Sequence, residues 1–203
     1  MINGEGWLHN GVKASLTVIP YEGVVTKTIL EGAFNTSPSP NMPNLETAFL
    51  YKGLCLLEGT NISEGRGTDL PFMVIGAPWL NVEKVIEKLE AFKHPLDVYE
   101  ITHFKPKILP HVKHPKYEGE ICKGFQISYL KDPIYWTINL LEVVQSIHPQ
   151  QFRFIDTNFI DKLYGSDRLR LSNEKDITID TLLASETSHA QFIEIRKKYL
   201  IYR

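Results

Sequence analysis

The chain has 203 residues, 43% of them hydrophobic and 23% charged, which is enough apolar material to bury a core. Its 22 Lys and Arg against 24 Asp and Glu leave a formal charge of −2, and no basic cluster offers a footprint for nucleic acid. No apolar run approaches the ~20 residues that span a bilayer. The N-terminus lacks the basic and apolar stretches of a secretory signal, so the chain as given is expected in the cytoplasm. Two cysteines, Cys55 and Cys122, are too few for a disulfide framework and are expected as buried thiols.

Residues 1–13 read as a helix stub and a turn broken by Gly4, Gly6 and Gly11. Leu16–Ile19 is predicted as a short buried strand stopped by Pro20. The proline-spaced run Ser37–Pro43 reads as an extended loop, and Asn44 as the N-cap of a helix over Leu45–Tyr51 that ends at Gly53. Leu54–Leu57 and Phe72–Ile75 are predicted as further buried strands. Asn81 caps a helix whose apolar stripe is Val82, Val85, Ile86 and Leu89.

Val98–Phe104 and Gly124–Leu130 read as strands on either side of a long polar loop, Pro106–Glu120. Asp132 and Pro133 open a helix to Ile147 with Ile138, Leu141, Val144 and Ile147 on one face. Phe159–Tyr164 is a short helix ended by Gly165, and Ser185–Leu200 a closing helix with Phe192, Ile195 and Tyr199 on one side. Strands and helices mix without a repeat, so the expected fold class is α+β.

The segment Glu58–Thr68 is chemically dense. Two carboxylates, Glu58 and Glu64, one guanidinium, Arg66, four hydroxyl or amide side chains and three glycines fill all but Ile62 of its eleven positions. A polar, glycine-rich loop after a buried segment is a favoured place for a site, since glycine lets backbone approach a ligand closely. The alternative is a self-contained turn in which Arg66 pairs with Glu58 or Glu64. The ~5–9 Å carboxylate separation that defines a glycosidase is invisible in spacing alone.

Around that segment, Ser39-Pro40-Asn41-Met42-Pro43, Thr47-Ala48, Tyr51-Lys52-Gly53, Pro71-Phe72 and Gly76-Ala77-Pro78-Trp79 complete a pattern that resembles the exo-β-N-acetylmuramidase (NamZ) family. His114-Pro115-Lys116-Tyr117-Glu118-Gly119, Phe159-Ile160-Asp161 and Arg196–Tyr202 extend the likeness over nearly the whole chain. The resemblance implies the C-terminal half of a two-domain peptidoglycan hydrolase active in cell wall turnover. Its sheet would be small, mixed and barrel-like, with helices packed on it. Residues 1–15 would be the end of a Rossmann-like domain and residues 16–203 the C-terminal domain.

The same resemblance implies muramyl sugars as ligand and a separate Rossmann-like domain as partner; no cofactor is expected, and charge pattern, short apolar runs and histidine spacing give the expectation of no nucleic acid, no membrane and no metal. Full-length members are often exported. Glu58 and Glu64 are then the candidate catalytic carboxylates, and Arg66, Asn61, Thr60, Asn41 and Trp79 the candidate substrate-binding residues. Arg66 would grip the lactyl carboxylate that separates muramic acid from glucosamine, because a guanidinium meets a carboxylate with two parallel bonds. The competing role for Arg66 is an ion pair with Glu64, and for Trp79 a place in the core. His103, His111 and His114 fit no familiar zinc spacing. A different class of function, a catalytically silent sugar-binding module, accounts for the same residues.

Overall fold

A three-stranded antiparallel sheet carries the larger of two units. In the computed structural model, residues 1–20, 37, 39–95, 97–172, 181–182 and 187–201 are described. Strand β1 is Val74–Ala77, β2 is Val98–Phe104 and β3 is Cys122–Tyr129, in the spatial order β1-β3-β2. The register sets Ile75 and Ile101 on either side of Phe125, which is fully buried. An irregularity between Val98 and Tyr99 shifts the β2 register by one residue.

Helix α1 is Leu45–Leu54, α2 is Val82–Leu89, α3 is Pro133–Ile147 and α4 is Phe159–Tyr164. Each of the first three begins at a capping side chain. Asn44 accepts from the Thr47 amide at 2.8 Å, Asn81 from the Lys84 amide at 3.1 Å, and Asp132 from the Ile134 and Tyr135 amides. Such caps satisfy amides that the helix itself leaves open. Helix α3 packs against α1 and α2 and presents Trp136 edge-on to Phe125, with ring centroids 5.8 Å apart. Ile138, Leu141 and Val144 are buried as their spacing predicted, and Ile147 is half-buried.

The fold is α+β, but its sheet is neither mixed nor barrel-like. All described pairings are antiparallel, and β1 and β2 each pair only with β3. Four residues of β1 are too few to carry closure. Its outer edge is instead covered by a single residue, Ser63, which exchanges backbone hydrogen bonds with Gly76 at 2.8 and 3.1 Å.

Two predicted strands do not form. Helix α1 runs through Gly53 to Leu54 and tightens into a 3-10 turn at Cys55–Gly59, where a strand was expected. Gly53 is a packing residue rather than a helix stop: a Cβ there would lie 2.0 Å from the Pro133 carbonyl oxygen. The run Leu54–Leu57 lacks period-two alternation, and continuing the helix buries Leu54, Leu56 and Leu57 together. Leu16–Ile19 has no ladder partner among the described residues, and Ile19 is 88% exposed. The strand expected from Phe72 begins at Val74, because Phe72 takes a left-handed backbone (φ 59) in the turn before it.

The second unit joins the two ends of the chain, residues 1–35 and 183–203. Helix α5, Thr187–Lys197, lies inside the predicted Ser185–Leu200, whose first two residues fall outside the described ones. Tyr199 donates to Glu5 at 2.7 Å and holds that carboxyl below its ordinary range. Phe192 is exposed while Ile195 and Tyr199 are half-buried. No helix among the described residues is long and apolar enough to cross a membrane.

Replacing Gly53 by alanine drives a methyl into the α3 backbone and is expected to cost about 2–3 kcal/mol. Urea unfolding of Gly53→Ala against Gly119→Ala measures this. The second site is left-handed but open on all sides, so its loss should stay near ~1 kcal/mol.

Candidate functional site

The acidic loop is held from both sides by its own small side chains. Thr60 Oγ1 donates to the Leu57 carbonyl at 2.9 Å and accepts from the Ile62 amide at 3.1 Å. The Asn61 amide group donates to Gln151 O at 2.8 Å and accepts from the Arg153 N–H at 2.9 Å, while its own N–H donates to Arg153 O at 3.1 Å. Thr68 Oγ1 donates to the Gly65 carbonyl at 2.7 Å. Gly65 and Gly67 have φ of 77° and 87°, and a Cβ on either would meet backbone or proline within 2.8 Å. Only glycine turns the chain here.

Two ion pairs organise the charges. Lys116, from the loop after β2, places its Nζ at 2.8 Å from Glu64 Oε2, 2.8 Å from Leu57 O and 2.9 Å from Ile62 O. All three ammonium protons are thus engaged. Glu64 is only 4% exposed, and this tripod is its counter-charge. Arg66 faces Glu58 rather than Glu64, across 3.5 Å, and both side chains keep a partly open surface at 32% and 19%. The buried Nε of Arg66 has no hydrogen-bond partner.

Burial and the nearby Glu64 carboxylate push Glu58 above the ordinary carboxylate range, against the pull of Arg66, Lys116 and the Tyr51 hydroxyl. Burial first, and Glu58 second, raise Tyr51 in turn. Cys55 and Cys122 are both free thiols, Cys55 half-buried and Cys122 buried. Burial raises both, Cys122 to about 12, so neither is a nucleophile at neutral pH.

Beside the acid cluster lies a cavity of about 250 Å³ lined by Thr60, Asn61, Lys116, Tyr117, Arg153 and Ile155. The Tyr117 hydroxyl donates to Asn61 O at 2.7 Å and accepts from Trp79 Nε1 at 2.8 Å. Trp79 is half-buried, edge-on to His148 with centroids 5.3 Å apart. Asn41 lies in the turn between Ser39 and Met42, its Oδ1 buried without a partner, and no described contact links it to the acid cluster. His103, His111 and His114 are exposed.

Glu58, Glu64 and Arg66 therefore lie together, with Arg66 pairing with Glu58, one of the two pairings left open by the sequence, and Thr60 and Asn61 line the adjoining cavity. Sequence reasoning missed Lys116, Tyr117, Tyr51 and Arg153. The first three stood within the family pattern without a role. Arg153, between Phe152 and Phe154, carried no signal, since 92 positions separate it from Asn61 in the loop it supports.

The sequence profile described as "Exo-beta-N-acetylmuramidase NamZ, C-terminal" matches residues 49–202. Peptidoglycan beta-N-acetylmuramidase NamZ of Bacillus subtilis (strain 168) is 35% identical over 171 residues, covering 81% of this chain and 40% of that protein. A crystal structure of a DUF1343 family protein from Bacteroides fragilis NCTC 9343 superposes with a TM-score of 0.72 at 30% identity, over all of this chain and 53% of that one. A second DUF1343 family protein from the same strain shares the fold, with a TM-score of 0.81 at 21% identity over 54% of its length. The chain thus spans less than half of the curated relative and about half of each solved structure. On sequence and on fold, this chain belongs to the NamZ C-terminal family.

Proposed function

We propose that this chain forms one wall of the substrate cleft of a hydrolase that releases N-acetylmuramic acid from the non-reducing ends of peptidoglycan fragments. Glu58 is the proton donor of that reaction. The observation that carries this reading is a partly open carboxyl held toward its neutral form by burial and by a second, buried carboxylate. A general acid needs such a raised pKa to keep its proton near neutral pH. Family membership supports the substrate class.

In the reaction, the Glu58 proton passes to the glycosidic oxygen as the bond from that oxygen to the anomeric carbon breaks. Water then adds to the oxocarbenium-like centre and yields its proton to a base. That base is assigned to the part of the two-domain protein lying outside this chain's match, which covers 40% of the relative. Glu64 acts through Glu58: its fixed negative charge makes ionisation of the donor costly. Lys116 is the positioning residue, since its ion pair holds Glu64 in place. Arg66 orients Glu58 through their ion pair. A sugar-binding module without chemistry is the second reading, supported by the cavity beside Tyr117. It is separated from the first by binding without turnover.

Turnover of a chromogenic N-acetylmuramide is the test, by the chain alone and with the N-terminal part of the B. subtilis relative added. Glu58→Gln should lower kcat by about 10²–10⁴-fold. The rate should fall at high pH as Glu58 loses its proton, along a limb above the ordinary carboxylate range. Glu64→Gln removes the like charge, lowers the Glu58 pKa and should move that limb to lower pH. Full activity in Glu58→Gln would remove it from the mechanism.

Lys116→Met leaves Glu64 buried without a counter-charge and should destabilise the fold by about 3–5 kcal/mol. The double change Lys116→Met, Glu64→Leu should recover most of that loss. Urea midpoints of the three proteins decide it.

A further inference from the structure

Three cations stand at the acidic loop, and two of them already have a counter-charge. Lys116 is paired with Glu64 and Arg66 with Glu58. Arg153 is exposed, and its guanidinium makes no hydrogen bond or ion pair with the described residues. Its backbone is nevertheless fixed, because its N–H and C=O are both bonded to Asn61. The side chain therefore leaves a rigid base at the rim of the cavity that also holds Tyr117, and its charge acts on the Tyr117 hydroxyl.

The cavity's size limits what enters it. At about 250 Å³ it is smaller than the ~300–1,000 Å³ of sites that enclose a drug-sized ligand. It suits one short arm of a sugar rather than a disaccharide. Its lining of one aromatic ring, one unneutralised guanidinium and a few polar atoms suits an arm that ends in a carboxylate. The arm is also close to the chemistry, since Lys116 belongs both to the cavity wall and to the cluster around Glu58. A carboxylate entering at Arg66 would instead meet Glu58 and compete with it.

We propose that Arg153 grips the lactyl carboxylate of N-acetylmuramic acid in the cavity beside Tyr117, and that this residue rather than Arg66 separates muramic acid from glucosamine. The assignment rests on the muramyl-sugar reading above and deepens it. Arg153 is a substrate-binding residue here, with no part in proton transfer.

The test is binding of unreacting monosaccharides to the full 203-residue chain, followed by calorimetry and by the arginine side-chain resonances. Three probes are compared: N-acetylmuramic acid, its lactyl methyl ester and N-acetylglucosamine. The acid should bind about tenfold or more tightly than the other two, with the Arg153 Nε–H signal shifting only for the acid. Arg153→Gln should abolish that preference, Arg153→Lys should retain part of it, and Arg66→Gln should leave it intact. Amide spectra report that the exposed substitution leaves the fold unchanged. A preference that survives Arg153→Gln, that disappears in Arg66→Gln alone, or that is absent from the unaltered chain overturns the assignment. Because the readout is a ratio of two bindings, it stands apart from turnover: a preference carried by Arg153 in a chain that never hydrolyses counts against the hydrolytic reading alone.

Discussion

A single ammonium group joins the parts of this site. Lys116 donates to two backbone carbonyls, Leu57 and Ile62, that flank the turn carrying Glu58, and to the buried carboxylate of Glu64. A buried carboxylate without a partner would neutralise or unfold its surroundings. With this partner, Glu64 is a fixed negative charge inside the protein. Glu58 is pushed toward its neutral form first by its own burial and then by having to ionise next to Glu64.

The fold supplies the rigidity that this arrangement requires. Helix α1 and the 3-10 turn after it carry Tyr51, Cys55 and Glu58 on continuous helical backbone. The loop that follows is fastened to β1 through Ser63 and to the 151–154 segment through Asn61 and Thr60. Its hydroxyl and amide side chains satisfy the loop's own backbone. Lys116 arrives from a different loop, between β2 and β3, whose Lys107 amide donates to Gly67 O at 2.9 Å. Two loops at one end of an open sheet thus lock each other, and the missing closure of the sheet leaves its β1 edge free to receive them.

Charge balance separates the neighbourhood into two halves with different chemistry. Around Glu58 the two carboxylates and two cations cancel, so this half suits proton transfer better than anion capture. Around Tyr117 the cavity is lined by Arg153, whose guanidinium has no ion-pair partner among the described residues, with Glu120 acting on the same hydroxyl in the opposite sense, and the aromatic ring adds a face for an apolar or ring-shaped group. A sugar that bears both a glycosidic bond and an acidic arm matches such a division, and muramic acid is of that kind.

The amino-acid pattern by itself determined every element whose signal is local. Caps at Asn44, Asn81 and Asp132 marked helix starts, β-like composition marked β2, alternation marked β3, and glycine spacing marked the acidic loop as a sharply turned segment. Local signals failed where an apolar run was short: Leu54–Leu57 and Leu16–Ile19 read as strands, since four apolar residues carry no period that separates strand from helix. Only the tertiary structure decided that Gly53 admits α3, that Arg66 takes Glu58 and Lys116 takes Glu64, and that Arg153 is left uncompensated. Most of those outcomes depend on groups that meet across long stretches of chain, 52 positions for Lys116 and Glu64 and 92 for Arg153 and Asn61, and charge pairing at a distance of a few ångströms leaves no trace in the spacing of residues along the sequence.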